Sequence, residues 1–110
     1  MEKQVKRGPR SIGYAAFKAT LADKAPPQGL APAVEALWYA ANGFWERAHE
    51  AAQKRDDAAG AWVHAYLHRL EGDEDNARYW YGRAGRLVAT APHARERDEI
   101  AKALLDEPAR

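Results

Sequence analysis

Cysteine is absent from the 110 residues, which excludes disulfide frameworks, thiol nucleophiles and thiolate metal sites and fits a reducing, cytoplasmic setting. Excess charge is missing as well. Lys and Arg total 17 against 16 Asp and Glu, a net charge of +1, too little for the positive field of a dedicated nucleic-acid binder. No run approaches the ~20 apolar residues that cross a bilayer, and the basic opening MEKQVKRGPR leads into SIGYAAFKATLADK, not into the apolar core of a signal peptide. Neither membrane insertion nor export is expected. Also lacking are a phosphate-binding glycine loop, a recognisable Ser-His-Asp set and a distinguishable pair of acid–base carboxylates, so no reaction is named and a non-enzymatic protein is expected.

What is present is helical punctuation. No segment alternates with period two, whereas Gly and Pro divide the chain into stretches of helical periodicity, giving an all-α domain over residues 1–110. Residues 1–8 have few apolar anchors and are expected to be a loose basic arm. A first helix is expected from Pro9 to Ala22, with Tyr14, Phe17 and Leu21 on one stripe, ended by the prolines of APPQGLAP. Pro32 suits the first turn of a second helix, and Gly43 is its natural stop. A third, Phe44 to Lys54, gathers Phe44, Trp45, Ala48, Ala51 and Ala52 in one sector, with His49 at its edge. A fourth, Asp57 to Glu71, is apolar around most of its circumference and must pack on at least two sides, leaving a narrow polar strip of Asp57, His64, His68 and Glu71. The acidic turn GDEDN opens a fifth helix, burying Ala77, Trp80, Tyr81, Ala84 and Leu87. A last helix, residues 93–105, is expected to cap the open face of the preceding hairpin before Pro108, with the ERDE run at 96–99 as a solvated face.

Sliding the chain by 29 residues places Ala36 on Ala65, Gly43 on Gly72 and Ala48 on Ala77, with Trp38 on Leu67. Small residues at these places let two antiparallel helices approach across a short turn. The spacing, and the piece AYLHRLEGDEDNARYWYGRAG in particular, resembles tetratricopeptide and Sel-like repeats; the run from ALWYAANGFWERAH to HAYLHRLEGD is also similar to a family of short bacterial proteins. The repeat resemblance covers residues 33–86, about two hairpins in a TPR-like stack with flanking terminal helices. It implies a surface for a protein or peptide partner, or for a second copy in a homodimer. Tyr39, Arg78, Tyr79, Arg83 and Arg86 are the candidate surface residues. The arginine face, with Lys3, Lys6, Arg7 and Arg10, is the only basic surface worth testing for nucleic acid, and arginines also belong by default in the C-terminal half of a helix that opens with acids.

His64 and His68, one turn apart on the same helix, are the sharpest chemical lead, with Glu71 and His49 as further candidates to hold a divalent metal or a small ligand. HAYLH carries Ala65 where the zinc-protease pattern HExxH has its glutamate, so the spacing is kept without the base. The competing reading is that these are structural imidazoles hydrogen-bonded to carboxylates or carbonyls. Trp38, Trp45, Trp62 and Trp80 each fall on an apolar face and are expected in the core.

Overall fold

Proline and glycine place the helix boundaries in the computed structural model, which describes residues 12–106. The expected arm 1–8, the basic residues Lys3, Lys6, Arg7 and Arg10, and the stop at Pro108 lie outside the described residues. Within them are α1 (Tyr14–Ala19, continued by a 3₁₀ turn, Thr20–Ala22), α2 (Pro32–Ala41), α3 (Trp45–Ala52), α4 (Ala58–Leu70), α5 (Glu74–Ala84) and α6 (His93–Asp106). No strand occurs among the described residues, so the all-α expectation is met, and no helix among them is long and apolar enough to cross a membrane.

The α2–α3 and α4–α5 pairs are antiparallel hairpins closed by turns of the same geometry. Gly43 has φ +80° and Gly72 φ +81°, the left-handed conformation that only glycine adopts without steric cost. In the first turn Gly43 N–H donates to the Ala40 carbonyl (3.1 Å) and Phe44 N–H to that of Tyr39 (2.9 Å); in the second Gly72 donates to Arg69 (3.0 Å) and Asp73 to His68 (2.9 Å). Each bond is matched at the 29-residue offset. Ala36 and Ala65, and Ala48 and Ala77, are all buried at the helix contacts.

Two side-chain caps fix α4 and α5. Asp57 Oδ1 accepts from Gly60 N–H at 2.8 Å, and Asp73 Oδ1 from Asn76 N–H at 3.3 Å, satisfying donors that a helix start leaves free. Gly60 is required by close approach: a Cβ there would sit 2.8 Å from the Arg55 carbonyl oxygen and 2.9 Å from that of Ala52. The start of α4 is therefore pressed against the end of α3.

The main core joins Phe17, Val34, Leu37, Trp38, Val63, Tyr66, Leu67 and Ile100 with the small residues Ala36, Ala48, Ala51, Ala52 and Ala101. A smaller cluster of Ala65, Ala77 and Tyr81 lies under α5. Trp38 is fully buried and donates its indole N–H to the Thr20 carbonyl at 3.1 Å, meeting the polar requirement of a buried tryptophan.

Several expectations are corrected. Helix α1 starts at Tyr14, since Ile12 and Gly13 already lie outside it. Phe44 is the residue before α3 and is half exposed, stacked on Trp38 instead of contributing to an inner sector. Leu87 is beyond α5 and 93% exposed, because Gly85 (φ +71°) ends the helix with the same pair of bonds, Gly85 to Gly82 and Arg86 to Tyr81. The last helix meets the α4–α5 hairpin mainly through α4, with the Glu96 bond to Tyr81 reaching α5. It packs across α4, α2 and α1, and Tyr14 N–H donates to Asp106 Oδ1 at 2.9 Å. The ERDE run is no solvated face: Glu96 is 2% exposed, held by Arg69 at 2.7 Å and by the Tyr81 hydroxyl, and of the four only Glu99 is exposed.

Candidate functional site

Three imidazoles converge where α3, α4 and the start of α5 meet. His49 comes from α3, and His64 and His68 from successive turns of α4. The His49 ring centroid lies 5.4 Å from that of His64 and 5.5 Å from that of His68. His64 and His68 are stacked at 4.9 Å. Two tryptophans wall the group: Trp45 meets His49 edge-on at 4.9 Å, and Trp80 stacks on His64 at 4.1 Å. The expectation that all four tryptophans are core residues therefore holds in full for Trp38 alone. Trp45, Trp62 and Trp80 are only partly buried, and Trp62 lies beneath the Arg86 guanidinium, 3.6 Å from its ring centroid.

The carboxylates come from the end of α4 and the turn after it. Glu71, an exposed residue, turns both oxygens toward the rings: Oε2 accepts the Trp45 indole N–H at 2.8 Å and lies 3.9 Å from His49 Nε2, while Oε1 is 3.2 Å from His68 Nδ1. Asp73 Oδ2 lies 3.7 Å from the same Nδ1 and accepts from the Asn76 amide at 2.7 Å. Donor atoms of His68, Glu71 and Asp73 all fall within 4.8 Å of one another. His49 Nε2 and His68 Nδ1 are buried and have no hydrogen-bond partner among the described residues, although both face Glu71. Two buried ring nitrogens without partners are a costly arrangement, since buried polar atoms are normally satisfied.

Burial favours the neutral imidazole at His49 and His64. Burial holds His49 below the usual histidine range, the Glu71 carboxylate opposing it. His64 is pushed down to about 4, first by burial and then by the neighbouring His68 and His49. Asp73 is held below the usual carboxylate range by the Asn76 side-chain and backbone hydrogen bonds. Deprotonated nitrogens and ionised carboxylates are the forms that metals take.

Of the four residues expected here, His68 and Glu71 come together as donors, and His49 approaches them through Glu71 Oε2 at 3.9 Å. His64 does not join them: it is 7% exposed, packed against Trp80 and not on an open polar strip. Asp73 was missed. A helical wheel ends at Glu71, and only the reversal at Gly72 returns the next acidic side chain to His68.

The expected interaction surface divides. Tyr39, on α2, sits by Phe44 and the Arg47 guanidinium. The others lie on or just beyond α5, whose principal packing partner is α4. There Arg78 pairs with Asp75, and Arg83 reaches Asp56 at 3.1 Å and the Tyr79 hydroxyl at 3.2 Å. Tyr79 is 55% exposed.

Comparisons with protein-family models, with curated proteins and with solved structures give no match.

Proposed function

We propose that this protein binds a divalent transition-metal ion between its two helical hairpins, with His49, His68, Glu71 and Asp73 as ligands. The observation that carries the reading is the pair of buried, unpartnered imidazole nitrogens facing one carboxylate from two different helices. Ligands about 2.0–2.2 Å from a tetrahedral ion lie roughly 3.3–3.6 Å apart. The separations from His68 Nδ1, 3.2 Å to Glu71 Oε1 and 3.7 Å to Asp73 Oδ2, lie close to that range, and His49 Nε2 stands 3.9 Å from the other Glu71 oxygen. Imidazole with carboxylate suits zinc and its neighbours better than magnesium or calcium, which prefer all-oxygen sites. Trp45 supplies the support that ligand carboxylates commonly have, an N–H fixing the oxygen not facing His68. The role is binding, since Ala65 stands where a metalloprotease would carry its base.

Zinc titrated calorimetrically into the purified protein is expected to bind one ion per chain. At a free concentration of about 100 times Kd it should add about 2.7 kcal/mol of stability, reversed by chelator. His68→Ala should abolish both the heat and the added stability. Equal zinc binding by His68→Ala, or none by the wild type, would sink the reading.

A second reading is a TPR-like pair of repeats presenting a face to a protein or peptide. It is supported by the matched glycine turns at the 29-residue offset and by the exposure of Tyr79, Leu87 and Val88 beside Arg83 and Arg86. An acidic partner is the complement. A labelled oligoglutamate peptide should be retained and then released by added salt. Retention unchanged by Arg83→Glu with Arg86→Glu, or DNA retained in place of the peptide, would count against it.

A further inference from the structure

We infer that the ion acts as a staple between the hairpins, so that its occupancy sets how firmly α3 is held against α4; this rests on the metal reading above. The donors come from three separate stretches of chain. His49 belongs to the first hairpin, His68 to the last turn of α4 with Glu71 directly after it, and Asp73 to the turn into α5. Without an ion, the Trp45 indole bond to Glu71 and the 3.9 Å approach of His49 to the same carboxylate are the polar links from α3 to the end of α4 among the described residues.

Ala48, Ala51 and Ala52 of α3 are buried, and the close packing at Gly60 secures the far end, where α3 hands over to α4. At the other end the contact is made by rings, His49 meeting His64 and His68 edge-on and Trp45 partly buried against the main core, so an ion there would add a polar tie to an aromatic contact. An ion taking His49 Nε2, His68 Nδ1 and both carboxylates would draw these groups onto one centre and close the 3.9 Å separation. That end of α3 could then open only by losing a ligand. Asp73 also begins α5 through its cap on Asn76, so the same ion ties the turn that aims α5.

Amide hydrogen exchange on the full chain, read over 45–52 and 68–74 with and without zinc, tests this. Openings that break the site should slow by the binding factor, about 100-fold at zinc of about 100 times Kd, in both segments of the wild type. His49→Ala keeps three donors and should retain zinc with weaker affinity, showing protection over 68–74 but not over 45–52. His49→Gln, which preserves bulk, guards against a packing defect and should behave the same way. Zinc bound calorimetrically with no change over 45–52 in the wild type would overturn the staple while leaving the metal site standing. Full protection of α3 in either His49 variant would overturn it as well. Absence of zinc binding in the wild type removes both.

Discussion

Replacing Glu96 with alanine should lower the free energy of unfolding by about 3–5 kcal/mol, the usual cost of removing one member of a buried ion pair. Glu96 Oε1 accepts from Arg69 Nη1 at 2.7 Å, its other oxygen accepts from the Tyr81 hydroxyl, and Arg69 also donates to the Ala91 carbonyl. One carboxylate thereby joins α6, α4 and α5. Truncation leaves a guanidinium whose side chain is only 17% exposed without its counter-charge and a buried phenol without its acceptor. The Tyr81 hydroxyl already titrates above the usual tyrosine range, through burial and then its bond to Glu96, so it will not relieve the defect by ionising. Glu96→Gln, whose one carbonyl oxygen can still accept from Arg69 while its amide N–H donates to the Tyr81 hydroxyl oxygen, should cost less. Joint replacement by Arg69→Met and Glu96→Leu should recover much of the loss, because a packed apolar pair avoids desolvating two charges. Urea denaturation measures all three. A Glu96→Ala midpoint indistinguishable from wild type would mean that Glu96 is solvated after all.

Acid should destabilise the protein with a signature belonging to His64. Its pKa falls from 6.5 to about 4 in the folded state, so above pH 6.5 the imidazole is neutral in both states and the contribution is fully present. Between pH 6.5 and 4 the unfolded chain takes up a proton that the folded chain refuses, and stability declines as pH falls. At about 1.4 kcal/mol per unit the full loss is roughly 3 kcal/mol. His49, lowered in the same direction, adds to it. His64→Phe keeps a ring against Trp80 without a titrating nitrogen, and its stability should fall less steeply over the same window. Carboxylates contribute equally to both proteins, so the difference between the two curves isolates the histidine. Parallel curves would show that His64 is not held neutral by burial.

Much of the scaffold was legible in the chain. Pro32, Gly43 and Gly72 act locally, through fixed φ or permitted left-handed backbone, and Asp57 and Asp73, expected on a polar strip and in an acidic turn, each cap a helix by reaching an N–H three residues on. Their positions in sequence are therefore their positions in the fold. His49, His68 and Glu71 were legible as chemistry for the same reason: imidazole and carboxylate are unusual on faces otherwise apolar.

Only tertiary structure decided the rest, because it depends on which faces meet. ERDE at 96–99 has the composition of a solvated helix, and nothing in that stretch reveals that Arg69, far off in sequence, is waiting for Glu96. His64 and His68 look equivalent at one-turn spacing until Trp80 covers the first and leaves the second beside Glu71. The sequence by itself determined where the helices begin and turn and which residues could carry chemistry. Packing of α3 and α5 against α4 determined which of those residues were brought together, since side-chain burial and charge pairing are properties of the contact and not of either segment alone.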